Sequence, residues 1–184
     1  MGRIEKINVY KMTVNATPLF SKMDTFIKAM GLPEKIVVGL DKTYTVENTE
    51  DIIAILEENK NDDYIVLLHY NGLEMDLWYN KTIIPMTVDF RGSNVQIFYK
   101  KLVFDNSYTL TQFREQFPKS YSLSEGGLFD HVDSMFKTMT EQTGEKYKHY
   151  ILERRSKTNI FATAMLEFTF EDEKLIYIIF ANWD

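Results

Sequence analysis

Along the chain, runs in which apolar residues recur at every second position alternate with runs in which they recur three and four apart, the signatures of half-buried strands and of amphipathic helices. Ile4 to Val14, with Ile7, Val9 and Val14 set among polar residues, predicts a strand ending at Asn15. Ser21 to Lys35 reads as a short helix: Ser21-x-x-Asp24 has the form of a capping box, Phe26 and Met30 lie four apart, and Pro33 supplies a stop. Ile36 to Gly39 predicts a short strand. Asn48 and Asp51 offer a second cap, ahead of the helical stripe Ile52, Ile53, Ile55 and Leu56 and the polar run Glu57 to Asp63.

From Tyr64 the period shortens to two. Tyr64 to Tyr70 and Leu73 to Tyr79 flank Asn71-Gly72, the dipeptide favoured in type I′ hairpin turns. Leu73, Met75, Leu77 and Tyr79 alternate with Glu74, Asp76 and Trp78, so this sheet has one buried and one wet face. Thr82 to Phe90 and Val95 to Tyr99 predict a further hairpin around Arg91 to Asn94, in which Pro85 suits an edge, a bulge or a strand start.

The grammar then repeats. Lys101 to Asp105 echoes Lys11 to Asn15, and Thr109 to Ser120 echoes the Ser21 helix, with Thr109-x-x-Gln112, Phe113/Phe117 and Pro118 in the corresponding roles. Leu128, Val132, Met135, Phe136 and Met139 predict another helix after Gly126-Gly127. Strands follow at Tyr147 to Glu153, Ile160 to Phe170 and Leu175 to Phe180, with turns at Arg154 to Thr158 and Glu171 to Lys174. Each half thus reads as strand, capped helix, second helix and antiparallel meander. The expectation is an internal duplication, residues 1–100 and 101–184, packed as one compact body. The class is α+β, a two-layer fold with short helices on one face of an antiparallel sheet.

Composition narrows the chemistry. The 184 residues are 45% apolar and 14% aromatic, enough for a core, and there is no cysteine, which removes disulfides, thiolate metal sites and thiol nucleophiles. A net charge of −6 argues against nucleic acid or an anionic membrane as partner. No segment approaches a membrane span and the first residues lack the apolar run of a signal peptide, so the sequence as it stands points to the cytoplasm; a leader removed ahead of Met1 would move it to the periplasm.

Candidate chemistry is sparse. Asp130, His131 and Asp133 could serve a metal or acid–base role, but acids at a helix N-terminus beside a surface histidine account for them better, since no third ligand stands at a recognised metal spacing. His69-Tyr70 and His149-Tyr150 fall in predicted strands, where alternation sends one of each pair to solvent. No serine elbow or glycine-rich phosphate loop occurs, so no catalytic residue, metal or cofactor is expected. The acidic residues are better material. Glu57, Glu58, Asp62 and Asp63 belong to a negative stretch that begins at Glu47, and Glu171, Asp172 and Glu173 form a second cluster at a hairpin tip; such surfaces steer basic partners, and they are also what a solvated face looks like. Trp78 on the wet face, with Tyr99, Tyr121 and Trp183 near element ends, adds residue types that anchor interfaces or cover core edges.

Two tandem units of this kind, with the phrase Met30-Gly31-Leu32-Pro33-Glu34-Lys35, resemble the architecture of β-lactamase-inhibitor-protein-like domains and of small outer-membrane assembly lipoproteins. Tyr70-Asn71-Gly72-Leu73 followed by Ile83 to Phe90 is similar to small bacterial toxin-immunity proteins. Those resemblances imply a binding module without catalysis: an immunity-type inhibitor that blocks a toxin or effector by steric and electrostatic occlusion, with a basic protein as partner. A periplasmic lipoprotein domain is the alternative, and a small-ligand binder or enzyme using the sheet face a further one. The contact residues expected are Trp78, Asp62, Asp63, Glu57, Glu58, Glu171, Asp172 and Glu173.

Overall fold

A computed structural model describes residues 5–60, 65–125, 147–154 and 165–181. The helix expected at Leu128 to Met139, with Asp130, His131 and Asp133, lies outside the described residues, as do Asp62, Asp63 and Trp183. The fold is α+β, with short helices and antiparallel sheets. The chain divides into two units, one of residues 9–103 and one of residues 104–184 together with residues 1–8.

The predicted first strand is broken in three. β1 (Lys6–Ile7) is followed by a turn of 3-10 helix at Val9–Lys11 and then by β2 (Met12–Val14). Within residues 9–103, β2 turns through Asn15 and Ala16, both at positive φ, into β3 (Thr17–Pro18). Ser21 is not the helix cap that the sequence suggests. Its backbone belongs to β4 (Ser21–Lys22), which pairs with Ile83 and Thr82, and its hydroxyl is buried with no hydrogen-bond partner among the described residues. Helix α1 (Met23–Met30) therefore starts two residues later behind Lys22, which makes no side-chain cap, and it stops at Gly31 rather than at Pro33. Gly31 takes φ +82° and returns its N–H to the Ile27 carbonyl, a turn that only glycine makes without strain.

Next come β5 (Lys35–Val38), β6 (Lys42–Tyr44) and α2 (Thr49–Asn59). Here the cap is as expected: Asn48 Oδ1 accepts from the Asp51 N–H at 3.0 Å, and Asp51 Oδ2 accepts from the Asn48 N–H at 3.2 Å. Ile52, Ile55 and Leu56 form the buried stripe of α2. Then β7 (Val66–Tyr70), β8 (Leu73–Leu77) and β9 (Thr82–Asp89) make the meander, in the order β9-β8-β7-β5-β6 with every neighbouring pair antiparallel. Leu73, Met75 and Leu77 are buried, and Glu74 and Asp76 emerge on the other face. Pro85 sits opposite Met75 where the register slips, a bulge that absorbs its missing N–H.

At Asn71-Gly72 only Gly72 has positive φ, so the turn has the type II pattern and not the I′ pattern. Any larger residue at Gly72 would collide with the Ser93 side chain and the Asp89 carbonyl. The expected hairpin between Thr82 to Phe90 and Val95 to Tyr99 does not form. The chain turns at Arg91 to Ser93, where Ser93 Oγ donates to the Asp89 carbonyl, and β10 (Ile97–Tyr99) pairs with β2 instead. That register sets buried Ile97 and Tyr99 opposite buried Val14 and Met12. With β11 (Leu102–Phe104) the small sheet runs β11-β10-β2-β3.

In the other unit, Thr109 caps α3 (Leu110–Gln116) through the predicted box, Thr109 Oγ1 accepting from the Gln112 N–H at 3.2 Å and Gln112 Oε1 accepting from the Thr109 N–H at 2.8 Å. As expected, α3 ends just ahead of Pro118, with Phe117 as its non-helical C-cap, and Pro118 is also the first residue of α4 (Pro118–Glu125), where a missing N–H costs no hydrogen bond. β12 (Tyr147–Arg154), β13 (Met165–Glu171) and β14 (Lys174–Ala181) form an antiparallel meander, and β1 pairs parallel to the outer side of β12. Phe113 on α3 is fully buried among Phe117, Tyr150, Phe168 and Phe170, with ring centroids between 5.1 and 5.7 Å from its own.

The start of α4 is held by a residue distant in sequence. Glu5 accepts from the backbone N–H groups of Lys119 at 2.9 Å and Ser120 at 2.6 Å and from the Ser120 hydroxyl at 2.7 Å, which places a carboxylate on the helix N-terminus. Burial pushes the Glu5 pKa up, but these donors together outweigh it, and the group lies below the ordinary value of 4.5. Because the folded value is the lower one, the stabilisation is complete above the ordinary value and is lost as pH falls through the folded one. Glu5→Gln should lower stability at neutral pH by about 1 kcal/mol, the usual worth of a helix cap. In urea unfolding, that gap to the parent chain should close as the pH is taken below 4.5. An equal gap in acid and at neutrality would mean that the charge contributes nothing.

Candidate functional site

Three arrangements stand out by burial and chemistry. The first is an apolar rim at one end of the sheet in residues 9–103. The β7–β8 pairing ends at Leu67 opposite Asp76, so Ile65, just before β7, and Trp78, just after β8, lie at the same end of the sheet. The Gly39 N–H donates to the Ile65 carbonyl at 3.0 Å, so the turn carrying Leu40 lies beside Ile65. Leu40 is fully exposed, Ile65 is 52% exposed, Trp78 44% and Tyr79 41%, and side chains of this size exposed together at one sheet end are the unusual observation.

The rim is held in place. Trp78 Nε1 donates to Asp76 Oδ2 at 2.6 Å, and the main chain of Trp78 is clasped by Thr82 and Lys81. Burial raises the pKa of Asp76, with the Trp78 hydrogen bond pulling the other way. Tyr79 Oη donates to the Asn59 carbonyl at 2.7 Å, bringing the last turn of α2, with Glu57 and Glu58, to the same end of the sheet. Of the residues expected from sequence, Trp78, Glu57 and Glu58 therefore belong to segments at the same end of the sheet. Glu57 is already bound to Lys60 at 2.7 Å, which lowers its pKa, while Glu58 is exposed.

Glu171, Asp172 and Glu173 occupy the β13–β14 turn in the other unit. Glu171 pairs with Lys174 across a loop of two residues, Asp172 at φ +47° and Glu173 at φ +66°. This is the type I′ backbone made without glycine, a left-handed conformation that disfavours both side chains. The turn is pinned from α3, since the Leu110 N–H donates to the Glu173 carbonyl at 2.9 Å and the Leu175 N–H to the Tyr108 carbonyl at 2.9 Å. Glu173 Oε1 lies 3.6 Å from Lys148 Nζ, so this acid too is partly neutralised.

The third arrangement is one that sequence reasoning passed over. His69 Nδ1 lies 3.0 Å from Glu74 Oε1 across β7 and β8, and His149 Nδ1 lies 2.5 Å from Glu167 Oε1 across β12 and β13, with Thr169 Oγ1 at 3.2 Å. Glu167 is 1% exposed, and its Oε2 and the Nε2 of His149 have no partner among the described residues. Alternation in Leu166, Phe168 and Phe170 sends Glu167 to the second face as expected, but that face is also covered. The usable signal was that each His-Tyr pair lies across from a strand carrying glutamate. Chemically, a carboxylate on Nδ1 fixes the ring and leaves Nε2 open, the preparation of a histidine for proton transfer or ligation. Among the described residues no group of three His, Asp or Glu side chains converges as metal ligands.

No family model, curated protein or solved structure matches the chain.

The buried pair has a testable consequence. His149→Phe strands Glu167 in the interior without its partner and should cost about 3–5 kcal/mol in chemical denaturation. The double change His149→Phe with Glu167→Leu should recover most of the loss. If the single and double variants are equally unstable, the pair is not what determines the cost.

Proposed function

We propose that the chain is a non-catalytic protein-binding module, an immunity-type inhibitor that occludes a bacterial toxin or effector with the rim formed by Leu40, Ile65, Trp78 and Tyr79. The observation that carries this reading is the rim itself. An indole held by Asp76 presents its apolar surface to solvent at little further cost in side-chain entropy, which is how an interface anchor is pre-organised. Charge plays the smaller part. Glu57 and Glu173 stand in exposed pairs with Lys60 and Lys148, and exposed ion pairs contribute little, whereas a buried aromatic anchor contributes roughly 2 kcal/mol or more. The remaining acids, Glu58 here and Asp172 at the hairpin tip, with the net charge of −6, favour a basic partner and set its rate of approach. Among the described residues no helix is long and apolar enough to cross a membrane.

The test is capture of a partner from the native organism, followed by calorimetry and by assay of whether the chain suppresses that partner's activity. Trp78→Ala and Leu40→Ser should each weaken the complex, Trp78→Ala by about thirtyfold, as hot-spot losses of roughly 2 kcal/mol dictate. Phe98→Ala, on the small sheet and also exposed, should leave it unchanged. An inhibitory complex indifferent to Trp78 and Leu40 would place the interface elsewhere and defeat the reading.

A further inference from the structure

The unit of residues 104–184 contains a pocket of about 160 Å³ lined by Leu110, Thr111, Arg114, Tyr121, Lys148 and Glu173. Its walls are unusual for a chain of net charge −6, because two cations face a single carboxylate. Arg114 has no acidic partner among the described residues; its guanidinium lies over the Tyr121 ring, 5.9 Å from the centroid. Tyr121 is itself stacked on buried Tyr150, centroids 5.3 Å apart and planes within 7°, so the surface against which Arg114 rests is fixed by the core. Lys148 approaches Glu173 only to 3.6 Å, beyond hydrogen-bond range, so its ammonium makes no hydrogen bond among the described residues. The main chain of Glu173 is tied to Leu110, and its φ is in the left-handed region.

We infer that this pocket binds a small oxyanion, a carboxylate or phosphate group, between Arg114 and Lys148. The planar guanidinium offers a forked pair of donors and the ammonium a point charge, the two modes by which proteins hold such groups. Leu110 and the Tyr121 ring supply apolar wall for whatever the anion is attached to. Glu173 competes with the ligand for Lys148, so it weakens the site. This site is independent of the rim proposed as a protein interface, and either can fail without the other.

The experiment titrates the isotope-labelled full chain with sodium phosphate and, separately, with sodium acetate, at constant ionic strength against a chloride reference, and follows amide shifts. At least one anion should give saturable shifts centred on Thr111, Arg114 and Lys148. Arg114→Gln and Lys148→Gln should each weaken binding about fivefold or more, as loss of one charge-assisted contact requires. Arg114→Lys should retain part of the affinity, and Glu173→Gln should tighten binding. Saturation by phosphate alone or by acetate alone assigns the ligand class. Shifts that stay linear and match chloride, an affinity untouched by Arg114→Gln, or weakening in Glu173→Gln would each overturn the assignment.

Discussion

The contact between Phe113 and Tyr150 is the one on which the unit of residues 104–184 is built. A short helix has few ways to attach itself to a sheet, and α3 does so with one fully buried ring that meets Tyr150 on β12 and Phe168 and Phe170 on β13. Tyr150 then carries Tyr121 from α4, and Phe104 closes the other side of the cluster against Phe168. Aromatic pairs at these separations contribute about 0.5–1.5 kcal/mol each beyond the area they bury, so a ring with four such neighbours outweighs any hydrogen bond in the unit. The unit of residues 9–103 has the same contact in smaller form, Phe26 of α1 against Tyr70 of β7 at 5.8 Å.

Fixing those tyrosines fixes the histidines beside them. Successive strand residues point to opposite faces, so a Tyr packed against its helix, buried Tyr150 or half-buried Tyr70, turns its neighbouring His to the other face, where His69 meets Glu74 and His149 meets Glu167. The difference between the two pairs is burial: Glu74 is 41% exposed and Glu167 is 1% exposed. The same packing sets the walls of the oxyanion pocket, because Arg114 follows Phe113 on α3 and Lys148 precedes His149 on β12. Core packing and candidate chemistry are thus connected through single steps along the chain.

Most of the elements were legible because their signals are local. The Asn48 and Thr109 caps, the alternation of Leu73 to Leu77 and the bulge at Pro85 each depend on residues within a few positions. The failures share a physical cause, competition from partners distant in sequence. Ser21 has the right spacing for a cap, yet its backbone is claimed by Ile83; Val95 to Tyr99 has a turn before it, yet β2 offers the better apolar match. At the candidate sites, Trp78 and Glu57 with Glu58 were singled out from pattern alone, while Leu40 and Ile65 were not, since nothing local distinguishes an exposed Leu from a buried one. Glu167 was missed because alternation identifies a face but not what covers it.

The pocket needs the unit of residues 104–184 to be rigid enough to present it, and that rigidity rests on the aromatic seat of α3. The most direct test is chemical denaturation of Phe113→Ala beside Phe98→Ala, a change at a ring that is 37% exposed. The account predicts a loss of about 3–5 kcal/mol for the first and well under half of that for the second. A loss below about 1 kcal/mol for Phe113→Ala would contradict it, since no fully buried Phe that anchors a helix can be removed so cheaply.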